Sequence, residues 1–243
     1  LEQELAYGTH TVEMIFRNTS DGKVNVRLGG AAVAGEDNHM DKLIALTIDD
    51  GPRTDTSNAI LDVLEKYGAH ATFFCVGDNI KTSTYPVMQR MLELNCEIGN
   101  HGNGWNVMSG MTPEQLTADY NAVQDKVYAA VGVYPKVFRA PGLNVSQTMY
   151  DTIPLPFMGG NLGIPDWDES VGLEDRINAL RNNIEDGRIV LIHDVALNAE
   201  ALEIVLPEII DQGFKVVTVT ELYTLRGYNP SSDSNMQYTE FSK

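Results

Sequence analysis

The sequence predicts an α/β protein, a distorted and incomplete (β/α) barrel of about seven parallel strands. From about residue 43 onward, strand-like apolar runs of five to seven residues alternate with segments in which apolar residues recur every three or four positions. Repeated strand and helix units in one chain favour a parallel sheet covered by helices. Seven units are too few for the standard eightfold barrel, which predicts an open or incomplete one.

The predicted strands are apolar runs bounded by glycine, proline or charged residues, and the predicted helices carry capping residues. Thr112 is suited to be an N-cap, with Pro113 in the first turn, Gln115 placed for a capping box and Gly132 at the end of the helix. The predicted strands are 43–48, 71–77, 96–100, 136–140, 156–160, 188–194 and 214–219. The other predicted helices run from Thr56 or Ser57 to Gly68, and over 84–94, 173–186, 198–212 and 220–226.

The two ends of the chain depart from this alternation. Residues 1–40 contain two short strand-like runs joined by a Ser-Asp-Gly turn, which predicts a hairpin or arm beside the main domain, residues 41–228. Residues 229–243 are polar and rich in serine, which predicts a tail or a linker to another module of a larger polypeptide.

Composition limits the classes of partner. The 243 residues include 17 Lys plus Arg against 34 Asp plus Glu, a formal charge of −17, which argues against nucleic acid or an anionic membrane surface as the main partner. No apolar run approaches the ~18 residues of a membrane helix, and residues 1–30 show no signal peptide. Cys75 and Cys96 lie in or beside strand-like runs, which favours two buried free thiols over a disulfide.

The stretch "LTIDDGP" sets two adjacent carboxylates, Asp49 and Asp50, at the end of an apolar strand. Like charges this close repel, and one pKa would be raised unless a cation or a hydrogen-bond donor lies nearby. The pair therefore predicts a positive partner at this strand end. The alternative is that Asp-Gly-Pro is only a turn.

Polar groups suited to acid, base or metal chemistry follow five of the seven predicted strands. In (β/α) barrels the carboxyl ends of the strands carry the active site. One such residue alone would more often be a structural polar group, but five at equivalent positions favour a site. They are Asp49 and Asp50, His101, Arg139, Asp166 with Trp167, and His193 with Asp194.

Five motifs in this order, "TIDDGP", "NHGNGW", "FRAP", "PDW" and "LIHD", resemble those of the polysaccharide deacetylase family, also called carbohydrate esterase family four. The resemblance covers roughly residues 42–226. It implies a distorted (β/α) barrel and a divalent metal ion that serves in the hydrolysis of N-acetyl or O-acetyl groups on glycans. It also implies a secreted or cell-surface location, because such polymers lie outside the cell.

The resemblance implies a role for each matching residue. Asp49 would be the general base that activates water, and Arg139 would pair with it. Asp50 would bind the metal ion, and that ion would supply the positive charge that the two carboxylates require. His193 would be the general acid, oriented by Asp166.

Leu191 and Trp167 would wall a small pocket for the acetyl methyl group, although each could equally be a packing residue. Gly142 stands where the family often has an aromatic residue, and its backbone N–H could still stabilise an oxyanion.

The second motif departs from the family pattern at the metal. Two histidines are usual there, four positions apart, but "HGNGW" has Trp105 at the second position. Asp50 and His101 would then hold one divalent ion, Co²⁺, Ni²⁺, Mn²⁺ or Zn²⁺, together with several waters, and a tetrahedral Zn²⁺ site with three protein ligands is not supplied. Trp105 could be a sugar-stacking platform or a core residue.

Three functions remain open from the sequence. The leading hypothesis is a metal-dependent hydrolase that deacetylates a polysaccharide, either an acetylxylan esterase or an N-acetylglucosamine polymer deacetylase, with a slight preference for O-acetyl xylan. The second is a glycan-binding domain in which loss of the second histidine has weakened or ended catalysis. The third is a phosphatase that uses the Asp-Asp pair around Mg²⁺, which would leave both His101 and His193 without roles.

Overall fold

The computed structural model describes residues 42–241, so the predicted N-terminal arm lies outside the described residues. Five parallel strands form the main sheet in the order β3-β2-β1-β5, and β6 also pairs with β1. Two further short strands, β4 and β7, pair with each other. The strands are β1 (Lys42–Gly51), β2 (Thr72–Cys75), β3 (Glu97–Asn100), β4 (Phe157–Met158), β5 (Ile189–His193), β6 (Phe214–Val217) and β7 (Gln237–Tyr238).

The structure confirms an α/β fold with a parallel sheet, but it does not confirm the predicted barrel of about seven strands, because the main sheet of the described residues has five. The predicted strand 136–140 provides only isolated bridges from Phe138 to Asn100 and to Phe157, and the next predicted strand is reduced to β4. Proline has no N–H to donate to a sheet, and glycine weakens a strand. This part of the chain is rich in both, with Pro135, Pro141, Pro154, Pro156, Gly159 and Gly160.

Helices separate the strands, as the sequence predicts. The capping box of Thr112 and Gln115 is present, but the first helix has Asp55 as its N-cap. A short helix that the sequence did not predict follows Ser146. In the described part of the chain, no helix combines the length and apolar character needed to cross a membrane. The helices are α1 (Thr56–Tyr67), α2 (Tyr85–Glu93), α3 (Pro113–Val131), α4 (Gln147–Thr152), α5 (Leu173–Arg181), α6 (Ala196–Asp211) and α7 (Val219–Leu225).

The central strand β1 positions the polar residues. It pairs with β2, β5 and β6, and residues 43–49 within it are buried. In register, Asp49 lies beside His193 of β5 and Phe74 of β2, while Cys75 of β2 lies beside Asn100, the residue before His101. The carboxyl ends of these strands therefore bring distant parts of the sequence to one edge of the sheet.

The segment predicted to be a tail or a linker, residues 229–243, packs against the domain over residues 237–241. Strand β7 lies in it, Tyr238 is buried, and the N–H of Phe241 donates to the carbonyl of Gly187 at 2.7 Å. Cys75 and Cys96 are buried free thiols, as predicted.

Candidate active site

Asp49, at the carboxyl end of β1, forms a buried ion pair with Arg139. Nη1 of Arg139 donates to Oδ1 of Asp49 at 2.7 Å and to Oγ1 of Thr47 at 2.8 Å. Asp49 is 2% exposed and Arg139 is fully buried. A buried carboxylate needs a charged partner, and Arg139 provides one and holds Asp49 in one orientation.

Arg139 is fixed from its other side by the backbone of the β4 segment. Its Nε donates to the carbonyl of Met158 at 3.3 Å, and its Nη2 donates to the carbonyl of Gly159. The guanidinium lies 4.1 Å from the centroid of the Phe74 ring. Burial lowers the pKa of Arg139 and its interaction with Asp49 raises it, with a net lowering. An arginine starts so high that it stays protonated.

His101 presents one ring nitrogen to the two aspartates. Its Nδ1 lies 2.8 Å from the carbonyl oxygen of Arg139 and must be the donor, because a carbonyl only accepts. In the neutral imidazole, Nε2 then carries a lone pair. That nitrogen lies 3.5 Å from Oδ2 of Asp49 and 3.6 Å from Oδ1 of Asp50. Asp50 has a left-handed backbone with φ of 71°, which is uncommon for a residue other than glycine.

Trp105 lies against Asp50 at the surface of the site. Its indole N–H donates to Oδ1 of Asp50 at 3.1 Å, while the residue is 56% exposed. The loop that carries it is anchored by Asn103, whose N–H donates to Oδ1 of Asp119 at 2.8 Å. Oδ1 of Asn103 accepts from Nζ of Lys126 at 2.7 Å, so this side chain points to α3 and not to the aspartates.

His193 and Asp166 form a second paired group across the site. Nδ1 of His193 lies 2.8 Å from Oδ1 of Asp166, and the backbone N–H of His193 donates to Oδ2 at 2.7 Å. Burial lowers the pKa of His193, but the hydrogen bond and charge of Asp166, with smaller contributions from Asp49 and Asp50, raise it to a net value above that of a free histidine. The ring of Trp167 meets that of His193 edge to face, with centroids 4.9 Å apart.

Two residues behind this pair, Asn198 and Arg176, are missing from the sequence-based prediction. Nδ2 of Asn198 donates to Oδ2 of Asp166 at 2.6 Å and to the carbonyl of His193 at 2.7 Å. Arg176 donates to Oδ1 of Asn198 at 2.9 Å and also to the carbonyl of Asp166. Both are buried. An arginine beside Ile177 on the apolar face of a short helix was the signal that could have revealed this network.

These groups surround one cavity of about 730 Å³. Arg139 pairs with Asp49 and does not line the cavity, and neither does Asp194, which accepts from Ser57, whereas the other predicted site residues do. Gly142, with φ of 65°, forms part of the cavity wall. Of the two residues predicted to enclose the acetyl methyl group, Leu191 is buried and Trp167 is 59% exposed. No lysine or arginine of the described residues lines the cavity. The lining includes Asp49, Asp50, His101, Trp105, Asn106, Val107, Gly142, Leu143, Ile164, Asp166, Trp167, Leu191 and His193.

Comparisons with known proteins identify relatives of this chain. The sequence profile described as polysaccharide deacetylase matches residues 36–153. A bifunctional xylanase/deacetylase of Pseudobutyrivibrio xylanivorans is 37% identical over 213 residues, which make up 86% of this chain and 34% of that protein. A peptidoglycan-N-acetylglucosamine deacetylase of Bacillus cereus is 33% identical over 192 residues, 75% of this chain and 88% of that protein.

Among solved structures, a family 4 acetyl xylan esterase from Clostridium thermocellum in complex with a cobalt ion superposes with a TM-score of 0.79 at 37% identity. The superposition covers 82% of this chain and 98% of that one. By contrast, the chain spans only about a third of the length of the bifunctional relative.

Proposed function

The chain belongs to the polysaccharide deacetylase family, and on this basis we propose that it hydrolyses acetyl groups on a polysaccharide, with a divalent metal ion as cofactor. The observation that carries the proposal is the convergence of two paired groups, Asp49 with Arg139 and Asp166 with His193, on one cavity that also receives Asp50 and His101. One pair is suited to take a proton and the other to give one.

Asp50 and His101 would hold the metal. The free Nε2 of His101 faces the carboxylate of Asp50, and nitrogen with carboxylate oxygen suits Co²⁺, Ni²⁺, Mn²⁺ or Zn²⁺. The described residues contain no group of three His, Cys, Asp or Glu ligands that could hold a metal ion, so water would complete the shell. When bound, a divalent ion would acidify a coordinated water and polarise the acetyl carbonyl.

The side chains provide the proton transfers. Asp49, paired with Arg139, would take a proton from the attacking water. The backbone N–H of Gly142 would donate to the oxyanion that forms at the acetyl carbon. His193, oriented by Asp166 and with its pKa raised mainly by that carboxylate, would give its proton to the departing sugar oxygen or nitrogen. Leu191 and Trp167 would enclose the acetyl methyl group.

We favour O-acetylated xylan over N-acetylglucosamine polymers as the substrate. Apart from the groups assigned to catalysis or the metal, the cavity wall is apolar or uncharged, and its lack of lysine and arginine in the described residues suits a neutral glycan, which both candidates are. The same lack argues against the phosphatase alternative, because phosphate recognition uses basic groups. Two relatives named for xylan activity support this preference. A substrate of this kind would place the protein outside the cell or at its surface.

The test is acetate release from acetylated xylan and from N-acetylchitooligosaccharides in parallel, with chelator-treated protein before and after Co²⁺ is returned. We expect metal-dependent release, faster from xylan. Release only from the N-acetylated oligomers would overturn the substrate preference. No release from either, together with binding of the glycans in calorimetry, would favour the alternative of a glycan-binding domain with weak or absent catalysis.

Replacing Trp105 tests the metal site independently of catalysis. We expect Trp105→His to tighten Co²⁺ binding about tenfold, or about 1.4 kcal/mol, because the indole already reaches Asp50 and an imidazole there could become a third ligand. Calorimetry on metal-free protein measures this. The matched control, Trp105→Phe, removes the N–H without adding a ligand and should not tighten binding. Equal affinity for both variants would mean that position 105 cannot reach the ion.

Replacing Asn198 tests the proposed role of His193 as the general acid. We expect Asn198→Ala to lower kcat on acetylated xylan about tenfold, because Asp166 loses a charge-assisted hydrogen bond that helps to hold His193. Hydrolysis of 4-nitrophenyl acetate should change little, since its leaving group needs no acid. The exposed Asn178→Ala, in the neighbouring helix, is the control. An equal loss on both esters would contradict a role through His193.

A further inference from the structure

The C-terminal segment, residues 229–241, contacts two parts of the site, the β4 segment and the turn at Leu143. Strand β7 pairs in parallel with β4, and the N–H of Gly159 donates to the carbonyl of Tyr238 at 2.7 Å. The contact is close, because a Cβ at Gly159 would come within 2.6 Å of Cγ2 of Thr239. The carbonyl of that same Gly159 accepts from Arg139. The segment therefore supports the backbone that holds Arg139 in its ion pair with Asp49.

The same segment reaches the cavity wall through one side chain. Nε2 of Gln237 donates to the backbone carbonyl of Leu143 at 3.1 Å, and Leu143 lines the cavity beside Gly142. Gln237 and Leu143 are 94 positions apart in the sequence. This hydrogen bond therefore ties the wall of the site to the end of the domain.

The turn at Gly142 and Leu143 has a backbone conformation that must be stabilised by surrounding contacts. Gly142 and Leu143 are consecutive left-handed residues, with φ of 65° and 59°. Leucine in this region costs about 1 kcal/mol or more and persists only where surrounding contacts fix it. The turn has one internal hydrogen bond, from the N–H of Leu143 to the carbonyl of Ala140 at 2.9 Å. The amide of Gln237 adds a second restraint from outside the turn.

We propose that Gln237 is a positioning residue that holds the Gly142–Leu143 turn where the backbone N–H of Gly142 can meet the oxyanion. This inference rests on the proposed acetyl hydrolysis. It extends the functional part of the domain to a segment far beyond the residues matched by the family profile, 36–153. Stabilisation of an oxyanion depends on donors fixed before the reaction, so loosening the turn lowers the rate without removing any reacting group.

The test uses two variants of Gln237 and one control. Gln237→Met keeps the length of the side chain and removes the donor, whereas Gln237→Lys keeps an N–H donor. The control is Met236→Ala, at the exposed neighbouring position. For Gln237→Met we expect kcat about fivefold lower on both acetylated xylan and 4-nitrophenyl acetate, with KM unchanged, because an oxyanion forms with either ester. Gln237→Lys should regain part of the rate, and Met236→Ala should match the unmodified protein.

Amide hydrogen exchange of the peptide covering residues 141–145 gives a readout that needs no activity. Exchange there should quicken in Gln237→Met and not in Met236→Ala. Unchanged exchange with unchanged kcat would overturn the inference, as would a loss confined to xylan. If the unmodified protein and Met236→Ala release no acetate at all, it is the proposed function that fails, and the role assigned to Gln237 falls with it. Faster exchange would then show only that Gln237 restrains the turn.

Discussion

Asp49→Asn is expected to lower kcat for acetate release about 10³-fold, at saturating Co²⁺, because the amide cannot take the proton from water. Metal affinity should change little, since Asp50 and His101 are the proposed ligands and the oxygen of the new amide can still accept from Arg139. Steady-state acetate release, with Co²⁺ affinity from calorimetry, measures the two effects separately.

A matched control separates this loss from a general effect of removing a carboxylate. Asp125 is an exposed residue of α3, and Asp125→Asn should leave kcat unchanged. Thermal unfolding of both variants should accompany the kinetics, because Arg139 is fully buried and loses its charged partner in Asp49→Asn. Near-normal acetate release by folded, metal-saturated Asp49→Asn would refute the assignment of the base.

Asp166→Asn is expected to lower kcat on acetylated xylan about 10²- to 10³-fold and to change the pH dependence. Asp166 fixes the Nδ1–H tautomer of His193 and raises its pKa, whereas burial lowers it. Without the carboxylate the pKa of His193 falls. The acid must be protonated to act, so the decline of kcat/KM with rising pH should move to lower pH in the variant.

The pH profile of kcat/KM on acetylated xylan measures the shift, with 4-nitrophenyl acetate as the ester that needs no acid. Asp168→Asn, two positions away and exposed, is the control, and its profile should match that of the unmodified protein. A decline that stays at the same pH in Asp166→Asn would mean that another group limits activity on the alkaline side.

The main sheet was largely predictable because its strands are apolar runs separated by helices with strong caps. Thr112 and Gln115 specify a capping box within four residues, and the box is present. The region between β3 and β5 was not predictable in the same way. The run around Phe138 has the composition of a strand, but the prolines and glycines around it limit it to isolated bridges.

The candidate site was predicted best where each residue follows a strand. Asp49, His101 and His193 converge because neighbouring parallel strands end at the same edge. The roles given to these residues stay predictions. Asn198 and Gln237 could not be placed from the sequence, since each makes its contact from a helix or strand that packs from elsewhere in the chain. For Arg176 the sequence offered only its position among apolar helix residues, which does not identify its partners.

The sequence by itself determined the class of fold, the order of the motifs and the strand ends that carry acid, base and metal-binding groups, because these depend on local periodicity and capping. Only the tertiary structure decided that Trp105 reaches Asp50, that Asn198 supports Asp166 and that the polar C-terminal residues pack beside the cavity. These contacts join residues tens of positions apart, and their geometry is set by how the helices and strands pack, which local patterns do not encode.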